Sequence, residues 1–250
     1  MKKAFALLLS FLSITVYAKT YYLSPSGNDS NSGTINNPFF TLNKAWTLLC
    51  AGDTVYLRGG IYRYYNSQYL TAKNGTDKLP IKVWAYPGEK PTITKSSEFS
   101  YRQNCGVYFS GSYFHWRGLE FTGFNQYDAQ INSGFKVQDS NHNVFEQLDS
   151  HHNGHGMVLA RACDDNLVLN CDFHHNSDPL TAVPYENADG LEVCYIPAGL
   201  SNQIIGCRFW WNSDDGLDLW DNNGTVIIEG CWSWYNGFIA DTFTPAGNGV

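Results

Sequence analysis

The chain is short of positive charge. Its 250 residues carry 16 lysines and arginines against 23 aspartates and glutamates, a formal net charge of −7 at pH 7. That balance argues against DNA or RNA as a partner, because phosphate binding needs a basic face. It also repels an acidic polysaccharide unless a bound cation bridges the two. Long apolar runs are scarce as well. One stands at the start, where Lys2 and Lys3 precede the mostly apolar Ala4 to Val16, and Val16-Tyr17-Ala18 offers a small residue for cleavage. This reads as a secretory signal over residues 1–18, too short to span a membrane comfortably. No second candidate span follows. The expectation is a soluble, secreted monomer, extracellular or periplasmic, with no membrane contact. Loss of Lys2 and Lys3 takes the net charge from −7 to −9. No stretch has the composition of a flexible linker, so residues 19–250 read as one domain.

Seven cysteines are present: Cys50, Cys105, Cys163, Cys171, Cys194, Cys207 and Cys231. An odd number excludes complete intrachain pairing, and a chain this long does not need a disulfide framework. Cys171, Cys207 and Cys231 share a repeated position and read as buried, stacked thiols. A bond between neighbouring coils remains open by distance.

What the chain does have is a repeat, from about residue 115 onward. One column reads Leu148-Asp-Ser-His-His-Asn153, Cys171-Asp-Phe-His-His-Asn176, Cys207-Arg-Phe-Trp-Trp-Asn212 and Cys231-Trp-Ser-Trp-Tyr-Asn236, with asparagines 23, 36 and 24 residues apart. A second reads Gly134-Phe-Lys-Val137, Gly156-Met-Val-Leu159, Gly190-Leu-Glu-Val193 and Gly216-Leu-Asp-Leu219. A third aligns Asn143, Asn166, Asn202 and Thr225 ahead of short apolar runs. Each repeat thus holds about three β-prone runs separated by Gly, Asn, Asp or Ser, the pattern of a β-solenoid. Three strands per coil predicts an all-β, right-handed parallel β-helix. The long interval contains Pro179 to Glu186, expected as a loop inserted into one coil. The cap is expected over about residues 19–60. There Phe39, Leu42, Ala45, Trp46 and Leu49 have helical spacing, with Pro38 to start a capping helix and Gly52 to end it. At the other end, Asn248-Gly249-Val250 is where a further glycine cell would begin, so C-terminal coils are expected to be missing.

Four aspartates carry the chemistry. Asp189 lies 25 residues before Asp214, about one coil, and Asp215 and Asp218 follow it. Strands one coil apart are about 4.8 Å apart, so the two cells stack. Carboxylates that close repel unless a cation neutralises them, and a hard ion such as Ca²⁺ takes oxygen ligands at about 2.3–2.6 Å. Asp189, Asp214, Asp215 and Asp218 are therefore expected to hold Ca²⁺. Asp221 is left outside the ligand set. Glu192 shares a column with Lys136 and Asp218 and reads as a solvated outer position. His151, His152, His155, His174 and His175 have spacing that zinc accepts, but Trp or Tyr replaces them in later repeats, which favours flat-ring packing. Trp220 is expected as a substrate-binding wall, with packing between coils as the alternative.

These residues resemble a known family. Asn187-Ala-Asp-Gly190 and Asn212-Ser-Asp-Asp-Gly-Leu-Asp-Leu-Trp220 are similar to the calcium-site motifs of family nine polysaccharide lyases. Gly52-Asp-Thr-Val-Tyr-Leu-Arg-Gly-Gly60 and Gly118-Leu-Glu-Phe121 are similar to other motifs of that family. The resemblance implies a right-handed parallel β-helix that cleaves pectate, or a related acidic polysaccharide, by Ca²⁺-dependent β-elimination. It assigns the four aspartates to calcium. It puts the base on a lysine one coil after the last aspartate, beyond Val250, so the catalytic residue is unknown here. Lys136 and Arg208 are poor substitutes, the first too distant and the second beside a core position, where it would pair with an acid. Two other readings stay open: an inverting polygalacturonase-type glycoside hydrolase, which Gly154-His155-Gly156 resembles in part, and a non-catalytic polysaccharide-binding solenoid.

Overall fold

The computed structural model of the protein describes residues 18–126 and 130–246. Apart from Ala18, the signal segment lies outside the described residues, as does the cell at Gly249. Short strands of alternating burial form three parallel sheets of eight, seven and six strands. The chain visits them in turn. Phe114–Arg117 joins the eight-stranded sheet, Glu120–Thr122 the seven-stranded and Ser133–Gln138 the six-stranded, before Val144–Glu146 returns to the first. Each pairs in parallel with the strand one coil away. Inward positions form one continuous core: Trp116, Phe145, Val168 and Ile204 from the first sheet, Phe121, Phe173 and Phe209 from the second, Phe135, Met157 and Leu191 from the third.

The corners explain the columns. Between the first and second sheets, Gly118, Gln147, Asn170, Gly206 and Gly230 all have positive φ. Between the second and third, so do Gly123, His152, His175, Trp211 and Tyr235. The asparagine after each of the last four then continues a ladder. Asn176 Nδ2 donates to Asn212 Oδ1 at 2.8 Å, and Asn212 Nδ2 to Asn236 Oδ1 at 2.9 Å. A second ladder, Asn143 to Asn166 to Asn202 with 2.9 Å steps, lines the third corner. These buried amides satisfy backbone groups that a tight turn would leave unpaired. The glycine column has its own cause. A Cβ on Gly190 would stand 2.5 Å from the carbonyl oxygen of Gly216 and 2.8 Å from Asn212 Nδ2.

Two expectations need correction. The helix spans Leu42–Leu48 and is capped by Thr41, whose side chain accepts from Lys44 N–H. It does not start at Pro38, because Phe39 bridges to Leu23 in parallel β pairing and Asp29 takes the N–H groups of Phe40 and Thr41 at 2.9 Å each. In the third column, Thr225 pairs with Ser201, and Val226 stands opposite Asn202. The sequence alignment was one residue out of register. The capping role is clear in the contacts. Trp46 stacks on Phe114 at 4.9 Å, and its Nε1 donates to Thr71 O at 2.8 Å on the edge strand Gln68–Asn74. All seven cysteines are free thiols, with Cys171 and Cys207 fully buried.

Candidate metal centre and its cleft

Backbone pairing builds the acid cluster. Gly190 N–H donates to Asp215 O at 2.9 Å, Leu191 N–H to Gly216 O at 3.1 Å, and Asp214 N–H to Ala188 O at 3.2 Å. Asp189 therefore lies directly against the Asp214–Gly216 turn. Asp218 ends this stretch on the short strand Leu217–Asp218, paired with Glu192. Carboxylate oxygens of Asp189, Asp215 and Asp218 all lie within 4.8 Å of one another. Asp189 is only 4% exposed, and its Oδ1 accepts the N–H of Asp215 at 3.1 Å. Asp214 lines the same cleft without adding an oxygen to that group. Burial, then the charges of neighbouring aspartates, pushes Asp214 up to about 7 and Asp218 up to about 6. Partly buried carboxylates this close to one another resist full ionisation together.

The cleft has a volume of about 510 Å³ and is lined by Asp189, Asp214, Asp215, Asp218, Glu192 and Trp220, among others. Trp220 is 60% exposed, so its ring faces solvent there rather than packing between coils. Asp221 is absent from the lining. Two residues stand at the cluster where the sequence did not put them: His155, weighed there only for zinc or ring packing, and Asp178. His155 sits one coil before Asp189, its Nδ1 3.3 Å from Asp189 Oδ2. Burial lowers the pKa of His155, but the hydrogen bond to Asp189 and the charges of Asp189, Glu192 and Asp178 raise it on balance. The signal was the column register, which puts His155 under Asp189 because Met157 pairs with Leu191. Asp178 is fully buried at the start of the inserted loop, accepting from Thr181 Oγ1 at 2.9 Å and Ser213 Oγ at 3.3 Å. Burial raises its pKa. No sequence pattern marked it.

A larger concavity of about 620 Å³ lies at another corner, lined by residues that include Arg208, Asp172, Asp149, Glu120 and Arg117. These charges are mostly engaged already: Arg208 with Asp172 at 2.5 Å, Glu120 with His151 at 3.0 Å, Asp149 with His174 at 3.1 Å, and Arg117 over the Trp84 ring. Asp149, His151 and His174 also come within 4.8 Å of one another. However, His151, His174, Trp210 and Trp234 form one stack with ring centroids 4.7, 4.2 and 5.1 Å apart. The planes of His151 and His174 are 13° from parallel. Nearly parallel rings cannot both aim lone pairs at one ion, so this is a packed, hydrogen-bonded ladder.

Stacked parallel sheets with a carboxylate cluster in a surface cleft define a parallel β-helix protein. Residues 21–250 match the family described as "Pel9A-like, right handed beta helix region", and the chain belongs to that family. Curated relatives include pectate lyase L of Dickeya dadantii (strain 3937), 30% identical over 92% of this chain and 55% of its own length. Pectate lyase PEL9 of Emericella nidulans is 31% identical over 92% of this chain and 60% of its own. Among solved structures, a rhamnogalacturonan lyase superposes with a TM-score of 0.81 at 30% identity, covering 92% of this chain and 60% of that one. Pectate lyase Pel9A gives 0.74 at 30% identity, over 93% and 58%. The chain thus spans a little over half the length of these relatives.

Proposed function

We propose that this chain supplies the β-helix of a calcium-dependent lyase that cleaves pectate, or a related uronate polymer, by β-elimination. The observation that carries the reading is the Asp189, Asp215 and Asp218 group, its oxygens within 4.8 Å of one another, in a cleft walled by Trp220. The donor set fits calcium: every ligand is a hard oxygen, and Asp218, raised by burial and then by the charges of Asp189, Asp215 and Glu192, would be eased by a cation. Asp189, Asp215 and Asp218 would hold the ion, with Asp214 adding charge from the same turn. When bound, Ca²⁺ would act as a Lewis acid that draws charge from a uronate carboxylate. The protein's own part is positional. Asp215 N–H and His155 hold the Asp189 carboxylate in one orientation, and Trp220 offers a flat apolar face to a sugar ring.

The base implied by the family resemblance falls outside the described residues. Lys136 is three coils from Asp218 through Val158 and Glu192, roughly 14 Å at 4.8 Å per coil, which is too far for that role. Pectate lyases among the relatives support an acidic polysaccharide partner, and the apolar N-terminal segment supports export. Carboxylates within 4.8 Å of one another are closer than the roughly 6.5–9.5 Å that an inverting hydrolase needs for its water. The test is ultraviolet absorbance during incubation of the full-length protein with polygalacturonate and calcium. New unsaturated product that disappears with chelator is expected. Release undiminished by chelation would remove the calcium role, and new reducing ends without the absorbing double bond would replace elimination with hydrolysis.

A further inference from the structure

The acid cleft does not end at Glu192. It opens into a second cleft of about 480 Å³ on the six-stranded sheet, sharing His155, Glu192 and Tyr195 with the first. Its floor is apolar: Val158, Ala160 and Cys194 are nearly fully buried and pack on one another. Two cations line it: Lys136, one coil before Val158, and Arg161, which follows the floor residue Ala160. Neither side chain has a hydrogen bond, ion pair or ring contact among the described residues. Elsewhere in the molecule, Arg58 pairs with Glu89, Arg208 with Asp172, and Arg102 lies over Tyr69. Two unpaired cations on successive coils of one cleft, in a protein of net charge −7, are a local reversal of sign. Asn104 and Gln138 also line the cleft, and Gln138 Oε1 accepts from Tyr108 Oη at 3.2 Å.

We infer that Lys136 and Arg161 form a carboxylate-recognising subsite for the same acidic polysaccharide, several sugar units from the one at the aspartate cluster. The inference rests on the uronate reading above and extends it. The geometry gives the polymer a direction, along the solenoid axis over one sheet. Lys136, Val158, Glu192 and Asp218 occupy one outward column, so Lys136 is roughly 14 Å from the acid cluster along the axis, and Arg161 lies one coil nearer. One end would engage carboxylates through a bridging cation, the other directly through ammonium and guanidinium. Between them the apolar floor offers contact to the C–H face of a sugar. Glu192, between the two ends, would repel a carboxylate placed over it, so the middle unit would turn its acid group away.

The experiment is calorimetric binding of the full-length protein to de-esterified polygalacturonate in calcium, with methyl-esterified polymer as the comparison. Lys136→Ala and Arg161→Ala should each weaken binding about tenfold, the size of one hydrogen-bonded charge contact, while Lys136→Arg retains most of it. Both alanine variants should show a smaller preference for the de-esterified polymer than the parent. Unchanged affinity in both alanine variants overturns the subsite, as does an equal loss on the two polymers. If the parent binds without regard to calcium and forms no unsaturated product, but the variants still weaken it, the lyase reading fails and the subsite stands. If the parent binds neither polymer, both fail.

Discussion

At the scale of single residues, the informative groups are those whose protonation the fold shifts. Asp214 and Asp218 are pushed up to about 7 and about 6, whereas an aspartate in an unfolded chain titrates near 3.9. In chelator, the folded protein therefore binds more protons than the unfolded chain between about pH 4 and pH 7. Its stability falls as pH rises through that window. Thermal melts from pH 4 to 8 in chelator should show this decline, with a shallower slope for Asp218→Asn. Calcium should raise the parent's melting temperature most at the upper end of the range and the variant's much less. A parent slope equal to the variant's would show that burial and neighbouring charge do not raise Asp218. The four aspartates were legible in the sequence because their spacing matches one coil. His155 was legible only through register, and Asp178 not at all, since its partners come from the inserted loop and from the next coil.

At the scale of elements, the ladders decide stability. Asn176 is fully buried, and its Oδ1 accepts the N–H of Asn153 while its Nδ2 donates to Asn212 and, at 3.4 Å, to Ser150 O. Asn176→Ala leaves two or three buried polar groups unpaired, which is expected to destabilise by roughly 2–4 kcal/mol, measured by denaturant unfolding. Gly190→Ala forces a methyl into the carbonyl of Gly216. That substitution should lower calcium affinity as well as stability, because Gly190 adjoins Asp189 and its N–H pairs with Asp215 O. Calorimetry of calcium binding checks it. Period and column content were readable because each coil reuses one residue type at one corner. Register at the last strand was not. Val226 replaces the asparagine of the ladder there, and a run of Val-Ile-Ile aligns equally well one residue either way. The non-glycine corner residues with positive φ, such as His152 and Trp211, also gave no sign, since their strain is carried by the ladder beside them.

At the scale of the whole molecule, the solenoid is closed at one end by a seven-residue helix. Trp46 is its main attachment, 5% exposed and in ring contact with Phe109, Phe114 and Trp116. Trp46→Ala should lower unfolding stability by about 3–5 kcal/mol, and the exposed edge strand should make the variant prone to self-association, visible by light scattering. The helix was readable from apolar spacing. Its true start was hidden by Asp29, which acts across a loop no periodicity describes.

The inserted loop between Asn176 and Ala188 has a consequence of a different kind. Its two ends are tied into the coil frame by Ser177 N–H to Asn153 O and by Asp214 N–H to Ala188 O, and Glu186 and Asn187 form part of the cleft wall. The frame passes beneath the loop without interruption. This corner is therefore where one wall of the groove can be exchanged for another while the clustered carboxylates stay put, making it the natural place to change what the groove admits on an unchanged scaffold.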